Sequence, residues 1–126
     1  IAEKSTKFGV NGVNIGLFCS TPMVALSRNI TRKKAFEMLT TGDFISAEQA
    51  KTLGLINRVV EIENFDLETE KLAEQIASKL GVAVKIGKEA FYKQLEMPIS
   101  EAYEYTGQVM AENSRILHGG QLGLRL

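Results

Sequence analysis

His118 and Cys19 are the only imidazole and the only thiol in the sequence, so they bound its acid/base and nucleophilic chemistry. His118 sits beside Gly119-Gly120, in the least patterned part of the chain, and a general base must be held in place by its neighbours. A catalytic role is not expected of it. Cys19 lies where a helix begins, a place at which the backbone dipole lowers a thiol pKa, but no histidine is near it in sequence. The expectation is a packed thiol. Ser20 and Ser27 lack Gly-x-Ser-x-Gly surroundings and a base, which leaves nucleophilic hydrolysis without footing.

Gly9, Gly12 and Gly16 are spaced as Gly-x-x-Gly-x-x-x-Gly, neither a dinucleotide fingerprint nor a phosphate loop with its Lys and Ser/Thr. The carboxylates from Glu61 to Glu74 read as a solvated helix face and its approach, because no apolar sequence surrounds them to raise their pKa. Arg32-Lys33-Lys34 is the densest basic cluster, and on a helix its members point in different directions. Tyr92, Tyr103 and Tyr105 with Phe91 read as core or subunit contacts, since no basic groove accompanies them for stacking on bases.

The background is that of one ordinary globular domain: 126 residues, 44% hydrophobic and 24% charged, with fifteen basic and fifteen acidic side chains. A formal charge of zero offers no general attraction to nucleic acid or anionic lipid. The charge is nonetheless segregated: residues 1–60 carry eight basic and four acidic groups, and residues 61–126 carry seven and eleven. One cysteine permits no internal disulfide and no Cys-based zinc cluster, so a reducing compartment and no metal are expected. No apolar run approaches the ~18 residues of a membrane span. The opening Ile1-Ala2-Glu3 has no initiator Met and no secretory layout, and it reads as cut from a longer chain.

The elements that must position these residues are mainly helical. Residues 8–20 mix glycines and asparagines with bulky apolar side chains and fit neither period, so a structured loop that needs something to lie against is expected. Thr21-Pro22 opens a helix to about Asn29, and Thr31 caps a second through Leu39. Ser46-Ala47-Glu48-Gln49 is a capping box for a short helix to Leu53, which Gly54 ends in the left-handed conformation. Residues 55–60 are β-branched enough for a short strand. From Asn64, Leu72, Ile76 and Leu80, flanked by Ala73 and Ala77, predict a helix with one buried face and Gly81 as its stop. A further helix over 84–95 turns Ile86, Ala90, Phe91 and Leu95 toward a core, before Met97-Pro98 breaks it. The last, from Ser100 to about Arg115, buries Ala102, Tyr105 and Val109. Such a set lacks the sheet it needs and looks like part of something larger.

The run from Leu39 to Val60 resembles the crotonase superfamily, the enoyl-CoA hydratases and isomerases. The family pattern T-G-x-x-I-x-A-x-x-A-x-x-x-G-L-I/V-x-x-V is met by Thr41, Gly42, Ile45, Ala47, Ala50, Gly54, Leu55, Ile56 and Val59. The likeness covers about residues 7–115. One branch of the family is favoured by Gly12 to Pro22 and by Phe91-Tyr92-Lys93-Gln94-Leu95.

The resemblance implies an α/β fold: the carboxy-terminal, mainly helical part of a ββα spiral. Residues 1–60 would end the spiral core, 61–116 form the helical region and 117–126 an atypical tail. It implies that Phe8, Gly9, Gly12, Val13, Phe18 and Ser20 wall an acyl-CoA pocket. The ligand would be a coenzyme A thioester with no other cofactor, bound by a homo-oligomer, a trimer or hexamer, in the mitochondrial matrix or a bacterial cytoplasm. Backbone amides in the family stabilise an enolate-like oxyanion, and both donor segments precede the part that these residues match. Gly12 stands where a hydratase has its second acid/base glutamate, and Ser20 where some relatives carry an aspartate. A glycine moves no proton, so hydratase activity is in doubt. The tail from Ile116 to Leu126 fits no family ending, as a shifted frame or a truncation would produce. The readings left open are an acyl-CoA-binding member of the family, a catalytically silent binding or oligomer-forming protein, and a non-functional fragment.

Overall fold

A computed structural model describes residues 1–122, with side chains through Ile116. The His118 side chain and Arg125 therefore lie outside the described residues. Two compact units divide the chain, residues 1–72 and 73–126.

In the first unit β1 (Ala2–Glu3) pairs in parallel with β4 (Val59–Val60), and β2 (Lys7–Phe8) pairs antiparallel with β3 (Ile45–Ser46). Between them run a 3-10 turn over Asn11–Ile15, α1 (Ser20–Asn29), α2 (Arg32–Thr41) and α3 (Ala47–Thr52). A second 3-10 turn, Ile62–Asn64, leads into α4 (Phe65–Ala77). Only Val59 and Val60 of the expected strand over 55–60 enter a ladder. Leu55 instead returns its amide to the Ala50 carbonyl at 2.9 Å and packs on the core, as does Ile56. The other three strands carry no sequence signal, because two-residue ladders are too short to show a period. Lys4 Nζ donates to Glu61 Oε1 at 2.6 Å, which raises the Lys4 pKa, yet both groups are exposed and screened by water. The β1–β4 pair is held instead by backbone bonds, Ala2 N–H to the Arg58 carbonyl and Lys4 N–H to that of Val60.

One apolar cluster organises this unit: Leu26, Ile30, Ala35, Met38, Leu39, Ile45 and Ala50 are buried together, with Phe8, Val10 and Cys19 packed against them. α2 supplies its centre. Ala35, Met38 and Leu39 recur at three and four residues and face inward, while Phe36 remains exposed. α2 ends at Thr41, two residues beyond the expected limit, where Gly42 at φ 69° returns its amide to the Met38 carbonyl. Thr31 occupies the cap position of α2, but its side chain makes no cap bond, contrary to expectation. The first turn is thus uncapped and carries Arg32, Lys33 and Lys34 against the helix dipole. The capping box of α3 forms as expected: Ser46 Oγ accepts the Gln49 amide and Gln49 Oε1 accepts that of Ser46. Gly54 takes φ 79°.

α1 starts at Ser20 rather than after Thr21, which places Pro22 in the first turn, where its missing N–H leaves no bond unmade. α4 contradicts the expected buried face. None of its residues is buried: Leu72 is half-buried and Ile76 is 52% exposed. It stops at Ala77, and Gly81 opens the next helix instead of closing this one.

In the second unit α5 (Gly81–Gln94) packs along α6 (Ile99–Leu122), with Pro98 between them as expected. Ala90 is buried, Ile86, Ala102, Tyr105 and Val109 are half-buried, and Lys93 Nζ lies 4.8 Å from the Tyr105 ring centroid. Phe91 and Leu95, expected in the core, are exposed. The seam on α5 follows Ala83, Ile86, Ala90 and Gln94, and each of the two large side chains sits one residue, about 100° of helix turn, off that line. α6 runs to Leu122, past the end expected near Arg115.

Two substitutions test this account with opposite signs. Leu39→Ala should destabilise by about 2–5 kcal/mol, the usual effect of emptying a filled core site, and lower the urea midpoint accordingly. Lys33→Glu, at an exposed site in the uncapped first turn of α2, should raise stability by about 0.3–1 kcal/mol at low salt and lose that gain as ionic strength rises.

Candidate functional site

The candidate residues follow one another along the segment from β2 to α1. Phe8 is half-buried on β2, where it pairs with Ile45 and packs on the core. Gly9 is exposed, and a Cβ there would stand 2.7 Å from the Phe44 ring, so the ring approaches the backbone as only a glycine allows. Val10 then turns back to the core. Gly12 and Val13 are half-buried in the 3-10 turn, which Gly16 ends at φ 79°. Phe18 is exposed, and Ser20, also exposed, opens α1.

Backbone bonds fix the turn. The Leu17 amide donates to the Gly12 carbonyl at 3.0 Å, and the Gly16 amide donates to that of Val13 at 3.1 Å. Asn14 ties it to α2, with Nδ2 donating to the Gly42 carbonyl at 3.5 Å. A Cβ at position 42 would meet Asn14 Oδ1 at 2.5 Å and displace that side chain, but it is the positive φ that calls for glycine there. Cys19 is the N-cap of α1 but makes no cap bond, because its Sγ accepts the Gly12 amide at 3.3 Å.

The six candidates lie within residues 8–20 of the first unit, where the chain itself keeps them close. Phe8 packs on the core, whereas Phe18 is 45% exposed. Ile15, Leu17, Phe18, Met23 and Val24 leave large apolar area exposed along it, with Ile15 at 78%. Ser20 Oγ donates to the Phe18 carbonyl at 3.3 Å, a local turn bond that leaves the hydroxyl unactivated.

The shifted carboxylates are placed elsewhere. Bonds from Ser5 hold the Glu3 carboxyl below its ordinary value, and Lys71 does the same for Glu68; both residues are partly exposed and screened by water. Their stabilising contribution is present above the ordinary carboxylate range and is lost as pH falls through it. A groove of about 290 Å³ lined by Lys34, Glu48, Gln49, Thr52 and Leu53 touches none of the six candidates. A second, of about 280 Å³, lies in the other unit beside Gln94, Ile99 and Tyr103.

Sequence reasoning missed Asn14, Phe44 and the acceptor role of Cys19. The only sequence signal for Asn14 was its place among glycines in a segment without a period. The partners at 42 and 44 are distant in sequence and only folding supplies them.

Residues 1–116 match the family described as enoyl-CoA hydratase/isomerase. The chain is 44% identical over 125 residues to the mitochondrial enoyl-CoA hydratase domain-containing protein 3 of Xenopus laevis, covering 99% of this chain and 42% of that one. It superposes on the crystal structure of the human enoyl-CoA hydratase domain-containing protein 3 with a TM-score of 0.88 and 45% identity, covering 97% of this chain and 48% of that. A crystal structure of enoyl-CoA hydratase from Mycobacterium smegmatis gives a TM-score of 0.86 at 47% identity, covering 93% and 49%. The chain therefore spans less than half the length of these relatives. Its fold is the mainly helical, carboxy-terminal part of the crotonase fold, and the chain belongs to the enoyl-CoA hydratase/isomerase family.

Proposed function

We propose that this chain supplies the acyl-side wall of a crotonase-type protein that binds acyl-CoA thioesters in fatty-acid metabolism, and that it supplies no acid/base group at position 12. The observation that carries the reading is the segment from Phe8 to Ser20. It presents Ile15, Leu17 and Phe18 to solvent as an apolar surface, while position 12, which the resemblance aligns with the family's glutamate, is a glycine. An apolar wall suits an acyl chain, whose burial contributes about 0.8 kcal/mol per methylene. Hydration of a double bond also needs a group that delivers and removes a proton, and Gly12 and the locally bonded Ser20 provide neither. The mitochondrial relatives support a matrix location for the whole protein, with a bacterial cytoplasm as the alternative.

A second reading, a silent member that serves assembly, is favoured by the second unit. Phe91, Tyr92, Leu95, Tyr103 and Met110 all lie exposed on its two helices. A trimer or hexamer of the whole protein would cover such faces.

The test is a thermal-shift series on the whole protein with acyl-CoA thioesters of increasing chain length, free coenzyme A as control, and crotonyl-CoA hydration followed in parallel. At a hundredfold excess over Kd a ligand stabilises by about 2.7 kcal/mol, so a shift of several degrees is expected with the thioesters, together with hydration far below the typical ~10 per second. Turnover near that typical value would overturn the silent position 12. Absence of any shift across the series would remove the ligand class.

A further inference from the structure

Gly12 is not a glycine for conformational reasons. Its φ is not positive, unlike those of Gly16, Gly42 and Gly54, so the backbone at position 12 would accept an L side chain. Space forbids one. A Cβ there would stand 2.6 Å from the Leu17 carbonyl oxygen and 2.7 Å from Cys19 Sγ, well inside the ~3.5–4.0 Å of an ordinary non-bonded contact. The Leu17 oxygen belongs to a backbone pinned by its own amide bond back to Gly12. The sulfur accepts the Gly12 amide and packs against the core cluster that holds Leu26, Met38 and Leu39, so it has little room to withdraw.

We propose that Cys19 is the positioning residue that keeps position 12 free of any side chain. The Cys19 sulfur and the Leu17 carbonyl together close the turn, and a carboxylate is excluded from it sterically as well as by the present residue. Gly12→Glu alone therefore forces the turn away from α1, and reducing position 19 as well removes the sulfur's share of the obstruction while the Leu17 carbonyl must still give way. The functional meaning of this exclusion rests on reading the segment as an acyl-pocket wall, whereas the coupling between the two positions does not.

The experiment is a double-mutant cycle on the whole protein with Gly12→Ala, Cys19→Ala and the pair, read by thermal denaturation without ligand. Gly12→Ala is expected to lower the melting temperature by about 5 °C or more, and by less than half as much when Cys19→Ala is already present. Alkylation of the Cys19 thiol by iodoacetamide is expected to accelerate about tenfold in Gly12→Ala, because the displaced turn exposes it. Equal losses in both backgrounds, or no loss in either, would overturn the proposal. Should Gly12→Ala fail to fold, recovery of folding in the double variant supports it, and failure of both refutes it. Gly12→Glu, with and without Cys19→Ala, is then compared for its thermal shift with crotonyl-CoA, the shift being expected only in the double variant. Coupling with no shift in any protein leaves the turn as described and removes the ligand reading; a shift in the parent without coupling removes this inference alone.

Discussion

The segment from Phe8 to Cys19 has no periodicity of its own, and its form depends on the surface beneath it. Phe8, Val10 and Cys19 press against the cluster built around Met38 and Leu39, and Asn14 reaches the end of α2 at Gly42. Between those anchors the intervening residues are pushed outward, which is why Ile15, Leu17 and Phe18 stand exposed. Burial at alternate points of an irregular loop replaces the regular pairing that a strand or helix would have supplied. Disturbing α2 would therefore release the candidate wall as well as the core.

The same interaction explains the division of labour between glycines. Gly16 and Gly42 are used for positive φ, where any Cβ would strain the backbone, and Gly42 is additionally covered by Asn14. Gly12 is used for close approach. A Cβ at that position would meet the Leu17 carbonyl oxygen at 2.6 Å and Cys19 Sγ at 2.7 Å.

The second unit presents a different balance. α5 and α6 meet along a seam in which Ala90 is buried and Ile86, Ala102, Tyr105 and Val109 are half-buried. The larger residues Phe91, Tyr92, Leu95, Tyr103 and Met110 remain outside it. A two-helix unit has one mutual face, so apolar residues on its other faces stay exposed until another surface meets them. α4, with Ile76 exposed on an apolar stripe, follows the same logic.

Local order was legible in the sequence wherever neighbours within four residues decide it. The capping box at Ser46, the left-handed Gly54, the break at Pro98 and the helical character of most of the chain are of this kind, and the run from Thr41 to Val59 carried the family resemblance. What only the tertiary structure decided is which faces are covered and what the unpatterned loop does. Periodicity marked an apolar stripe on α4 without saying whether a partner exists, and it placed Phe91 and Leu95 inward by spacing when the actual seam runs one residue to the side. The two-residue strands, the Asn14–Gly42 contact and the Gly12–Cys19 pairing link positions whose meeting depends on the folded backbone. Hydrophobic burial is non-directional and acts through whatever surface the rest of the chain presents, so a linear pattern can name the residues that seek burial but not the ones that obtain it.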